Sequence, residues 1–82
     1  MGFTVNDIIR IFSSKVPNKK PFAIYRISQK QALVHASSSG KYSAEPNTWI
    51  VDTSGNVRFF SPIDNLDMYH RIHNPSNLLW EA

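Results

Sequence analysis

Three histidines carry the most usable chemistry in this sequence. His70 and His73 stand three apart, and Asp67 precedes His70 by three, so one helix face could present all three to Zn²⁺. No second cluster supplies further ligands, there is no cysteine, and His35 would have to converge from a strand. A histidine near a helix end is also favoured by the helix dipole alone. The expectation is no metal site and no cofactor. His35 could instead serve as a general base, with Ser37-Ser38-Ser39-Gly40 after it and Lys30 and Lys41 nearby. Asp52, Asp64 and Asp67 are each explained by turn or cap chemistry, so no paired-carboxylate site is expected. Gly40-Lys41 lacks the leading glycine of a phosphate-binding loop.

A second group of residues suits recognition. Lys15, Lys19 and Lys20 cluster where the first helix ends, and Arg26, Arg58 and Phe60 fall on strands. Residues 1–41 hold seven Lys/Arg against one Asp, net +6, whereas residues 42–82 hold two Arg against five acids, net −3. Such an imbalance fits an electrostatic partner and would speed encounter with an acidic one.

These residues need elements to hold them. The chain has 82 residues, 41% hydrophobic and 12% aromatic, which is one thin-cored folded domain spanning residues 1–82. Nothing reads as a transmembrane or signal segment, so no membrane partner and a cytoplasmic location are expected. Thr4 caps a first helix with Asp7 three residues on, and Phe3 and Ile8 occupy the staple positions. Val5, Ile8, Ile9, Phe12 and Val16 form its apolar stripe, and Pro17 stops it. Strands follow at about Phe22–Ser28 and Gln31–Ala36, then an irregular loop through Tyr42–Pro46. A hairpin pairs Thr48–Asp52 with Val57–Ser61 around Gly55. Ser61-Pro62-Ile63-Asp64 reads as the start of a second helix with Ile63, Leu66, Tyr69 or His70, and Ile72 or His73 on its stripe. Leu78, Leu79 and Trp80 should dock on the body. The fold class is therefore α+β, in the order α-β-β-β-β-α, an antiparallel sheet with both helices on one face.

The hairpin divides the sheet. A three-residue turn with Gly55 in a bulge is expected to set Asp52 opposite Arg58 and Val51 opposite Phe59. Trp49, Val51, Val57 and Phe59 then face the helices, together with Ala23, Tyr25 and Ile27 of the first strand. The outer face would show Phe22, Ile24, Arg26, Ile50, Arg58 and Phe60. Rings interleaved with arginines suit single-stranded nucleic acid, a protein partner, or a second copy of the chain through that face.

The element order and His35 resemble small RNA-cleaving toxins of the HicA type, which share an α-β-β-β-α double-stranded RNA-binding fold. That resemblance would imply a His35-dependent RNase. The chain departs from it in lacking the glycine beside the histidine, and Asp64 and Asp67 replace the basic start of the second helix. The residues themselves favour a small non-catalytic binding or regulatory protein of inhibitor or accessory type. Its expected partner is a protein, met through Lys15, Lys19, Lys20, Arg26, Arg58 and Phe60; DNA or RNA binding through the same residues is the alternative.

Overall fold

The first helix, α1 (Val5–Lys15), begins where its sequence dictates. Thr4 Oγ1 accepts from the Asp7 amide at 3.1 Å, and Asp7 Oδ2 accepts from the Thr4 amide at 3.1 Å. Two otherwise orphaned amides of the first turn are satisfied reciprocally. The computed structural model describes residues 3–41 and 47–82; the loop expected through Tyr42–Pro46 lies outside them. The architecture is α+β. After α1 come β1 (Lys20–Arg26), β2 (Gln31–Ser37), β3 (Thr48–Asp52), β4 (Val57–Phe59), α2 (Leu66–Ile72) and a further strand, β5 (Leu78–Glu81). One antiparallel sheet has the order β4-β3-β2-β1-β5. The apolar tail docks by pairing with the free edge of β1, which satisfies backbone groups as well as burying side chains.

The β3–β4 hairpin turns through Thr53-Ser54-Gly55, and the Gly55 amide donates to the Asp52 carbonyl at 3.1 Å. Asp52 Oδ1 accepts from the amides of Ser54 and Asn56. Val51 pairs with Val57 and Trp49 with Phe59, two residues tighter than expected. A shift of two preserves the alternation, so Trp49, Val51, Val57 and Phe59 still share a face. Gly55 has φ +89°, and no atom lies within 4 Å of where its Cβ would stand. Gly55→Ala therefore meets no steric wall and should cost only the left-handed backbone penalty, about 1–2 kcal/mol, read as a lowered urea midpoint.

The two helices lie on opposite faces of the sheet, which corrects the one-face arrangement. Ile8 and Phe12 of α1 pack with Ile24, Ala32, Val34, Ala36 and Val51. Ile72, Met68 and Tyr69 of α2 pack with Ala23, Tyr25, Leu33, Ile50 and Phe60. These are alternate positions along the same strands, hence opposite sides. The first strand also differs from expectation: Ile24, not Ala23 and Tyr25, shares a side with Val51. With both sides covered, β2 has no exposed row, and six of its seven residues are buried. The start of the second helix also differs. Ile63–Asn65 is a 3₁₀ turn, Ser61 is not its cap, and Ile63 is 82% exposed. Among the described residues no helix is long and apolar enough to cross a membrane.

Candidate functional site

The surface expected to bind a partner does not assemble. Phe60 alternates onto the same side as Arg58, its amide donating to the Thr48 carbonyl at 2.9 Å, and is buried there because α2 covers that side. Arg26 pairs with Ala32 and so lies on the α1 side, whereas Arg58 pairs with Ile50 on the α2 side. No open outer face is left for a second copy to meet in the way expected. Lys15 ends α1 and Lys20 opens β1, both exposed, with Lys19 between. Arg26 instead borders a shallow cleft of about 730 Å³ together with Arg10 and Lys30, where Asp7 is held by Arg10 at 3.2 Å. The histidine pair also separates. His73 follows the last residue of α2 with non-helical backbone, and His70 is exposed on the helix. Among the described residues no three His, Cys, Asp or Glu side chains are placed to share a metal ion.

What does assemble is a cleft of about 1100 Å³ on the α2 side, with His35 among its lining. Four elements build it. His35 sits on the central strand between Ala23 of β1 and Thr48 of β3, and the small Ala23 side chain leaves the imidazole room. Phe22 stacks against the imidazole at 5.7 Å between ring centres, with 24° between planes. The register shift between Pro21 and Ala23 is what lets Phe22 face this side as well as Ala23. Tyr25, Tyr69 and His73 stand edge-on to the same imidazole at 5.8, 6.2 and 5.3 Å. Ser61, Pro62, Ile63 and Phe59 border the cleft beyond β4, and Glu81 borders it beyond β1.

The polar contacts favour one tautomer of the imidazole. Thr48 Oγ1 lies 3.2 Å from His35 Nδ1 and donates to Asn47 Oδ1 at 3.2 Å. A threonine hydroxyl has one proton, so giving it to Asn47 leaves a lone pair that accepts from His35 Nδ1–H. The other ring nitrogen, Nε2, then carries a bare lone pair. It is buried and has no hydrogen-bond partner among the described residues. Burial, then the neighbouring His73, drive the His35 pKa down to about 4, against a smaller upward pull from Asn47. His35 is neutral at pH 7. A buried acceptor with no donor costs about 1–3 kcal/mol, recovered when a donor arrives.

His35 was visible in the sequence as the one ionisable residue in an apolar strand. Its surroundings were not, because Phe22, Thr48 and the pair Tyr69 and His73 come from three separate stretches of the chain. The signal that could have found them is the cross-strand register that seats His35 opposite Ala23 and Thr48. No protein-family model, curated protein or solved structure matches this chain.

Proposed function

We propose that the chain is a small non-catalytic binding protein that docks onto another protein through the cleft floored by His35. The observation that carries this reading is the buried, unpartnered Nε2 beneath aromatic walls. A folded chain that leaves such an acceptor unpaired gains by meeting a donor from outside. Catalysis is less well supported: a histidine with a pKa of about 4 is a weak base at neutral pH, far from the value that serves proton transfer best. The exposed lysines Lys15 and Lys20 lend the surface a basic character that speeds encounter with an acidic partner.

Nucleic-acid binding is the second reading, favoured by Arg10, Arg26 and Lys30 bordering one cleft on the α1 side. The two readings separate by salt and by substitution. Proteins retained from a source-cell extract by the wild-type chain should be released by His35→Leu and kept by Lys19→Ala/Lys20→Ala. Binding of RNA or DNA that falls steeply between about 50 and 200 mM salt, and is lost in Arg26→Ala, would put the second reading in its place.

A further inference from the structure

Resting on the protein-binding reading, we infer that the cleft receives an aromatic side chain bearing a hydrogen-bond donor, a tryptophan of the partner, whose indole N–H is given to His35 Nε2. Four observations point to this group. First, with the Thr48 proton given to Asn47, Nδ1–H donates to Thr48 and Nε2 is left to accept, so what meets it must donate. Indole offers a donor and no acceptor, which matches a bare lone pair without leaving a polar atom of its own unpaired.

Second, the walls are rings presenting both faces and edges. Phe22 stacks on His35, Tyr69 stacks on His73 at 5.0 Å and 24°, and Tyr25 stands edge-on to His35. Ring pairs at such separations prefer offset-stacked or edge-to-face geometry, and a planar guest extends both. Third, among the described residues the lysine and acidic side chains bordering the cleft are Lys41 and Glu81, one of each sign. That balance favours a neutral group over a phosphate, which any nucleobase would bring with it. Fourth, Ile63 on the rim is 82% exposed, apolar surface of the kind that shields a central anchor from water.

Entry needs one adjustment. Nε2 is buried, and rings from β1 and α2 surround the imidazole that carries it. The exposed member of that cover is His73, placed just past the end of α2 where the backbone is no longer helical. Its ring is the one that must turn aside.

The test uses N-acetyl-tryptophanamide, its analogue methylated on the indole nitrogen, N-acetyl-argininamide and adenosine monophosphate, each titrated into the full chain and followed by NMR of the histidine ring nitrogens. The tryptophan compound should bind with a Kd of about 1 mM and shift His35 Nε2. The methylated analogue should bind about tenfold more weakly to the wild type. In His35→Leu, whose fold is checked by the same spectra, the two compounds should bind equally. Equal affinity of the pair for the wild type, tighter binding of the arginine or nucleotide compound, or no shift at His35 would each overturn the inference. The protein-binding reading fails by a different route: a partner whose retention is indifferent to His35→Leu overturns it, whatever the small compounds do.

Discussion

Acidification from pH 6.5 to pH 4 should cost the fold about 3 kcal/mol through His35 alone. An unfolded chain takes up the His35 proton near pH 6.5, while the folded chain withholds it until about pH 4. Between those values the unfolded state binds more protons, so stability falls as pH falls. The loss is absent above that window and complete below it. For a domain of this length, total stability is about 4–12 kcal/mol, so the change is a large share. Asp7 and Asp52 act at lower pH. Backbone hydrogen bonds, from Thr4 and Asn56 respectively, hold their carboxyls below the ordinary value of 3.8, so their contribution is lost only beneath it. Urea midpoints of the wild type and His35→Leu, measured between about pH 7 and pH 4, check this: the wild type should drop and the variant stay nearly level. Parallel slopes would remove His35 as the cause.

Phe12→Ala should be the most damaging single truncation, at about 3–5 kcal/mol. The Phe12 side chain is wholly buried between α1 and the sheet, and its ring meets Trp49 edge-on at 5.3 Å. Truncation removes apolar area, an aromatic pair and the contacts that fix the helix to β3, in a domain whose core is thin. Phe12→Leu should retain most of the stability, because volume is largely kept. Ile63→Ala should be nearly neutral, since that side chain is 82% exposed. Chemical denaturation of the three variants gives the order directly. A Phe12→Ala midpoint close to that of Ile63→Ala would mean that α1 contributes little to the fold.

Ile63 also marks where the sequence stops being readable. Its spacing with Leu66 and Ile72 imitates a helical stripe, yet the first turn is 3₁₀ and holds its side chains away from the sheet. The capping box at Thr4 and the turn at Gly55 were readable because each depends on atoms a few residues apart. The facing of β3 and β4 was readable too, since alternation within one hairpin is local. What joins β3 to β1 is β2, and β2 carries apolar residues on both sides: Ala32, Val34 and Ala36 toward α1, Leu33 toward α2. A strand without alternation transmits no facing to its neighbours, so the side that β1 turns toward Val51, and with it the side α2 covers, is not legible from the sequence. The same silence was the evidence for a sheet covered twice. For the site, His35 was visible by itself, while its donor-acceptor chain through Thr48 and Asn47 depends on the β2–β3 register.

The burial of β2 has a consequence in time. Its amides are flanked by β1 and β3 and covered above and below, so they should exchange with solvent deuterium only when the whole domain unfolds. The three-residue β4, at the sheet's edge, should exchange through local opening at a much smaller free-energy cost. His35 therefore rides on the slowest-exchanging backbone of the molecule, while Phe59 and the turn after it belong to the fastest. A guest entering the cleft would find one wall that yields within its residence time and a floor that does not.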